Sequence, residues 1–403
     1  MTVTYRDGIE IELSDGTRVV CDADDPDGDV NVVTHAHGDH YPDGEATAVC
    51  SPLTADLATA RRDTPLHRTT DDRVELIPAG HVAGSRAALV TDPDGTRYLY
   101  TGDVCTRSRF YLDGFEPPDA DVLVVEATYG DPAYVFPDHD TVAAEIRSWL
   151  ASTAAPVLLL GYALGRAQKL QLLADRAGRD RIFTTDAVRR VNEVIEAHRD
   201  VRFDVRPYED DTTLADGDAF VVPMTSGRIN WISSLAESAG AVTAGFSGWA
   251  IEESFKFRGD FDETFPLSDH CDFAELLDLV GAVDPDRVYT QHGSVTTLAE
   301  QLTDVGYDAT ALRRNQLSLG DFYPPWRPRR CRSGGRAGRQ RCSAGVDPSR
   351  HPPTSRYDPI RADTTPPPSG RCGVRPRRTG RGASKGRPAG RRPANAQLRH
   401  APL

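Results

Sequence analysis

Lysine is nearly absent from this sequence: Lys169, Lys256 and Lys385 are the only three in 403 residues. There is no run of about 18 apolar residues and no basic-then-apolar N-terminus, so neither a membrane span nor a secretory leader is expected. Cysteine is sparse and scattered. Cys21, Cys50, Cys105 and Cys271 lie in the body and Cys331, Cys342 and Cys372 near the end, with no CxxC pair. That excludes a zinc ribbon, gives no support to a disulfide framework, and fits a reducing cytoplasm.

Charge is divided unevenly. Residues 326–403 hold 19 Arg and one Lys against three Asp, whereas the body before them holds 27 basic and 57 acidic residues. An acidic, lysine-poor body is expected of a high-salt cytoplasm, where strong negative charge keeps proteins soluble. A GC-rich genome is the blander source of the same composition. Past Trp326, Arg, Pro and Gly dominate and no periodicity survives, so 325–403 is expected to be a disordered, low-complexity tail. It reads either as a basic arm for nucleic acid or as an aberrant extension from a different frame. The inverted charge favours the second.

Against these absences stands one dense stretch, Thr34-His35-Ala36-His37-Gly38-Asp39-His40. An apolar run, Val30 to Val33, precedes it and Tyr41-Pro42-Asp43-Gly44 follows, the pattern of a short buried strand ending in a loop. Alternation puts His35 and His37 on one side of an extended backbone. Asp39 and His40 come after the Gly38 break and can point elsewhere. Imidazole and carboxylate together suit zinc and its neighbours, and two pairs of ligands suggest two adjacent ions. Asp22 ends the strand before this loop. It reads equally as a residue orienting the ligands or as a plain strand-end aspartate.

The same form, a strand ending on a glycine-flanked polar residue, recurs at His81, Asp103, Glu126 and His292. Strand ends presenting such groups to one rim are how a layered α/β enzyme assembles a site from distant segments. His270 precedes a further helix. Gly161-Tyr162-Ala163-Leu164-Gly165-Arg166 links a strand to a helix and makes a modest candidate phosphate seat, with Arg166 as counter-charge. Ala219 to Arg228, containing Ser226, has the same form.

Taken together, these motifs resemble the metallo-β-lactamase superfamily and, within it, the β-CASP nucleases. His35-Ala36-His37-Gly38-Asp39-His40 is similar to the superfamily's HxHxDH loop, and His81 and Asp103 to its next two motifs. Glu126, His270 and His292 resemble the three β-CASP motifs. The likeness is greatest to archaeal mRNA 3′-end processing factor-like proteins and to DNA-ligase-associated exonucleases, and covers about residues 5–320. Ala127 stands where many relatives have serine, and the additional N-terminal RNA-binding domain of the longer archaeal cleavage factors is not expected here.

The resemblance implies an α/β fold: a four-layer αββα domain from 1–136 and 267–324, with a smaller α/β β-CASP cap, 137–266, inserted. It implies two zinc ions, one held by His35, His37, His81 and Asp103, the other by Asp39, His40, Asp103 and His292, with Asp103 bridging. His270, oriented by Glu126, would be the general acid. The implied substrate is single-stranded RNA or DNA, with Arg166 and Ser226 cradling the strand. A DNA ligase, a processing complex and a second copy of the chain are the candidate partners. Two other classes stay open. A small-ester hydrolase would need neither Glu126, His270 nor the cap, and an inactive processing subunit would have lost metal ligands.

Overall fold

The computed structural model describes residues 2–223 and 229–313. Two sequence-based expectations, the 325–403 tail and Ser226, lie outside the described residues.

The chain opens with an antiparallel meander, β1 (Thr2–Tyr5), β2 (Ile9–Glu12) and β3 (Arg18–Cys21). Short parallel strands β4 (Val30–Val32) and β5 (Ala46–Val49) extend it. Helix α1 (Pro52–Arg62) then crosses to β6 (Leu66–Thr69), which completes a six-stranded sheet. Ser51 caps α1 by accepting from the Thr54 backbone N–H, and proline stands where the first turn needs no donor.

A second sheet starts with the antiparallel strands β7 (Val74–Pro78), β8 (Arg86–Thr91) and β9 (Arg97–Tyr100), and β10 (Val122–Ala127) joins in parallel. The chain then leaves it. The elements α2 (His139–Ser152), β11 (Val157–Gly161), α3 (Arg166–Arg176), β12 (Arg181–Thr184), α4 (Asp186–His198), β13 (Arg206–Pro207), β14 (Asp218–Pro223), α5 (Ile229–Ala239), β15 (Val242–Phe246), α6 (Glu253–Gly259) and β16 (Glu263–Phe265) follow. Their strands form a third, wholly parallel sheet in the order β13-β12-β14-β11-β15-β16. Strand β11 is buried at every position, as a parallel strand covered on both faces must be. The chain returns through α7 (Phe273–Val283) to β17 (Arg287–Gly293), beside β10, and ends its described part with α8 (Val295–Asp304) and β18 (Ala309–Ala311).

Alternation along the strands fixes the layers. Tyr98, Tyr100 and Val124 face the first sheet and pack with Ile9, Ile11, Val19 and Val32. Their neighbours Leu99, Leu123 and Val125 face the other way, onto Leu276, Leu279 and Val280 of α7 and Leu298 of α8. On the far side of the first sheet, α1 and α4 cover Ala48 and Cys50. Helix, sheet, sheet and helix therefore stack as the sequence leads one to expect. The third sheet has its own two cores, one under α2 and α3 and one under α5.

Two backbone features aim residues at the rim. Between Glu126 and Ala127 the register of β10 on β17 slips by one residue, leaving His292 as the bulge, with φ +54°. A bulge bends its strand and re-aims a side chain. The second is Gly80, immediately before His81, at φ +72°, where a Cβ would lie 2.1 Å from the Cys105 carbonyl oxygen. Gly80→Ala should therefore destabilise the fold by about 2 kcal/mol or more. An unchanged Tm in thermal denaturation would show that this turn is not held as described.

Candidate metal centre and active site

Asp22 anchors the histidine loop. Its buried carboxylate accepts from the Thr34 backbone N–H at 2.7 Å, the Thr34 hydroxyl at 2.6 Å, the Tyr100 hydroxyl at 2.9 Å and His40 Nδ1 at 2.9 Å. Of the two readings open for Asp22, the orienting one is the geometry observed. On the outer side, Arg62 reaches back from α1 to the carbonyls of Tyr41 and Gly38. The loop is thus pinned from both ends.

With the loop fixed, His35, His37, His81 and Asp103 bring one ligand atom each to within 4.8 Å of one another. His37 Nδ1 lies 3.1 Å from both His35 Nε2 and His81 Nε2, and Asp103 Oδ2 lies 3.4 Å from each of those two Nε2 atoms. The distal ring nitrogens have other partners. His81 Nδ1 meets the Asp269 carbonyl at 2.9 Å, His37 Nε2 the Leu164 carbonyl at 3.1 Å, and His35 Nδ1 the Thr34 hydroxyl at 3.0 Å. A carbonyl can only accept, so His81 and His37 carry their protons outward and turn lone pairs inward. Lone pairs converging at this distance repel one another and are relieved by a cation or a proton between them. The donor set fits a divalent cation such as zinc.

His40 Nε2 joins the group at 3.7 Å from Asp103 Oδ2. The second expected set is looser. The Asp39 side chain is 78% exposed with Oδ2 3.9 Å from His40 Nε2, and the His292 ring stacks on His40 at 5.5 Å between centroids. Both line the same cavity, whose volume is about 380 Å³.

Electrostatics divide the histidines. Burial, reinforced by neighbouring imidazoles, holds His37 and His81 well below the usual range. Burial also opposes the charged form of His40, but Asp103 and Asp22 outweigh it and push that imidazole up to about 10. Likewise burial disfavours protonated His270, yet Glu126 and Asp103 raise it to about 9. Glu126 is fully buried. Its oxygens accept from His270 Nδ1 at 2.9 Å, from the Val104 backbone N–H at 2.7 Å and from the Thr128 hydroxyl. This fixes the His270 ring with Nε2 turned away from Glu126.

Arg166 departs from expectation. Its guanidinium is buried, bonded to Asp269 Oδ2 at 2.9 Å and to the Phe246 carbonyl at 2.8 Å, so it is not a free counter-charge for phosphate. Lys169, one turn further along α3, also pairs with Asp269, and Arg109 Nη2 lies 3.9 Å from Oδ1. Asp269 is buried, which alone would raise its pKa, but Lys169, Arg166 and Arg109 hold it well below the carboxylate range. No local pattern pointed to this cluster, because Asp269 lies 100 residues from Lys169, 103 from Arg166 and 160 from Arg109. The one signal was a rare lysine on the apolar face of a helix. Arg61 was missed too. It lines the cavity from the last turn of α1, and its Nε is buried without a partner among the described residues.

An αββα sandwich whose rim gathers three imidazoles and a carboxylate, interrupted by a parallel sheet, is the metallo-β-lactamase fold. No family model matches the sequence. Among known proteins, it is 33% identical over 307 residues to a probable DNA ligase of Opitutus terrae, covering 72% of this chain and 29% of that one. It is 24% identical to an RNase J-like protein of Methanocaldococcus jannaschii, covering 41% and 48%. With the DNA cross-link repair protein SNM1 of Arabidopsis thaliana it shares 24%, covering 64% and 59%. The chain thus spans less than two thirds of each of these relatives. A solved structure of a protein of unknown function from Enterococcus faecalis aligns at TM-score 0.51 and 12% identity, over 77% of this chain and 97% of that one. These relatives support a member of the β-CASP group of the metallo-β-lactamase superfamily. No helix among the described residues is long and apolar enough to cross a membrane.

Asp269→Asn would leave Arg109, Arg166 and Lys169 buried without their counter-charge. The expected loss is about 3–5 kcal/mol in urea denaturation, partly recovered by adding Lys169→Met. A loss below about 1 kcal/mol would show that the three cations find other partners.

Proposed function

We propose that this chain is a two-metal nuclease hydrolysing phosphodiester bonds of single-stranded nucleic acid. The observation that carries this reading is the Glu126–His270 pair. His270 lines the cavity and Glu126 is buried behind it, both outside the set His35, His37, His81 and Asp103, although with Asp103 they too bring one ligand atom each to within 4.8 Å of one another. Hydrolysis of an activated small ester does not require a proton donor on the leaving side, whereas expulsion of a sugar oxygen does.

His35, His37, His81 and Asp103 would hold one zinc ion, and Asp39, His40, Asp103 and His292 a second. When bound, such ions lower the pKa of water toward neutrality and neutralise charge on the phosphoryl oxygens. The remaining work belongs to side chains. Asp22 keeps the His40 Nδ1 proton outward, and the Asp269 carbonyl does the same for His81. Glu126 holds the proton of His270 Nδ1, which leaves Nε2 to donate to the departing sugar oxygen. Asp39, at the cavity mouth, would accept a proton from the attacking water.

RNA as substrate is supported by the relatives named as RNase J-like and as endoribonucleases. DNA is supported by the DNA ligase and the cross-link repair protein, and a DNA ligase or an RNA-processing complex is the matching partner. A cytoplasmic site of action belongs to the same reading, on the cysteine pattern. A labelled panel of RNA and DNA, single- and double-stranded, with either end blocked, run at high salt with zinc or manganese, tests it. Absence of cleavage across the panel would sink the nuclease reading.

Two variants separate metal from proton. Asp103→Ala should release metal and abolish turnover on every substrate. His270→Ala should keep the metal content but lose on the order of 10² to 10⁴ in rate on an ordinary phosphodiester. It should lose far less on a p-nitrophenyl phosphodiester, whose leaving group needs no proton. Equal losses on both substrates, together with loss of metal, would make His270 a ligand instead.

A further inference from the structure

The cavity has a side that the metal cluster and the Glu126–His270 pair do not use. Its landmark is His37, flanked by Arg61 from α1 and by Tyr162 from the loop between β11 and α3. The Tyr162 ring centroid is 6.1 Å from that of His37. Tyr162 is 55% exposed and lines the cavity, unlike the other large exposed apolar residues, Val135, Trp231, Ile251, Phe257 and Val305. The Arg166 guanidinium sits over the ring at 5.7 Å from its centroid. Arg166 is itself buried and bonded to Asp269 and Phe246, so it forms a fixed backing and leaves the other part of the ring to the cavity.

Arg61 supplies the complementary charge. The arginines lining the cavity are Arg61 and Arg166. Arg166 is committed to Asp269, whereas no carboxylate among the described residues lies within ion-pair distance of Arg61. Its neighbour Arg62 takes the structural duties, binding Tyr41, Gly38 and Asp43. Arg61 is close enough to His37 for its charge to act on that ring. The Nε atoms of Arg109, Arg166 and Arg179 are buried and without a hydrogen-bond partner as well, so what distinguishes Arg61 is its place on the cavity wall with no carboxylate beside it among the described residues.

Resting on the nuclease reading, we propose that Arg61 and Tyr162 form a nucleotide subsite beside the cut. Arg61 binds the phosphodiester oxygens flanking the scissile bond, and Tyr162 stacks on the base of that nucleotide. Aromatic stacking tolerates every base, because each has a π face, but it requires the base to be unpaired and free to leave its helical stack. The subsite therefore selects single-stranded over double-stranded substrate without reading sequence. It also places the grip on the His37 side of the cavity, away from the proton donor His270.

The test uses full-length, metal-loaded protein and single-stranded oligonucleotides carrying one abasic sugar or one neutral methylphosphonate linkage, scanned across the cut. Wild type should lose about 10- to 100-fold in affinity, read in KM, when the base beside the cut is removed. Tyr162→Ala should show that same loss on the intact strand and be indifferent to the abasic sugar, while Tyr162→Phe restores wild-type behaviour. Arg61→Gln should raise KM, be indifferent to the methylphosphonate at the flanking position, and flatten the slope of log KM against log salt by about one. Metal content measured on each variant checks that the centre is intact. Full sensitivity of Tyr162→Ala to the abasic sugar, or of Arg61→Gln to the methylphosphonate, overturns the subsite while leaving the nuclease reading untouched. Failure of wild type to cleave any strand would instead remove the reading on which the subsite rests.

Discussion

The constraint on which this structure turns is the inward convergence of lone pairs. His35, His37 and His81 present bare nitrogens to one another and to Asp103 at 3.1–3.4 Å. Unaided, such a cluster would fly apart or take up protons. It is held by oxygens drawn from different parts of the chain: Thr34 at the loop, Leu164 on the way into α3, and Asp269 on the way into α7. Each oxygen fixes one ring by its far side. The inserted layer therefore does more than roof the cavity, since Leu164 lies within it and Asp269 just after its last strand. Helix α3 is thereby coupled to His37 through the Leu164 carbonyl and to His81 through Lys169 and Asp269.

Much of this was legible in the sequence, for a definite physical reason. The unbroken apolar runs Tyr98-Leu99-Tyr100 and Leu123-Val124-Val125 are a direct record of a sheet buried on both faces. Ser51-Pro52 before an apolar repeat marks a helix start, and α1 begins there. That His35, His37, His81 and Asp103 converge was readable because chelation needs particular side chains at strand ends, a local pattern; they form a candidate metal site. Helix limits are less legible: the helix expected after His270 runs to Val283, where the αL residue Asp284 ends it.

What stayed hidden is of another kind. Arg166 looked like a phosphate seat because glycine, arginine and a helix start stood together. Its role is decided by Asp269, a hundred residues away, and a carboxylate already in place satisfies a guanidinium as well as a phosphate would. Conversely, Arg61 carried no local mark at all. Among adjacent arginines, the one facing carbonyls becomes structural and the one facing the cavity is left over. That choice is made by the angle at which α1 meets the histidine loop, and no single-residue pattern encodes it. The bulge at His292 is hidden for the same reason, since it exists only as a mismatch between β10 and β17.

The distribution of charge bears on how so acidic a body could face a polyanion. Long-range attraction is unavailable to it, and in concentrated salt it would be screened within a few ångströms in any case. What survives screening is contact at short range inside a partly desolvated cavity. The buried cations follow that logic. Arg109, Arg166 and Lys169 are gathered around a single carboxylate beneath the cavity floor, so the positive charge of this region is concentrated where salt reaches it least. A lysine-poor chain that still buries one of its lysines here is using that charge to fix geometry. The shape of the cavity, more than the net field around the protein, then decides what enters.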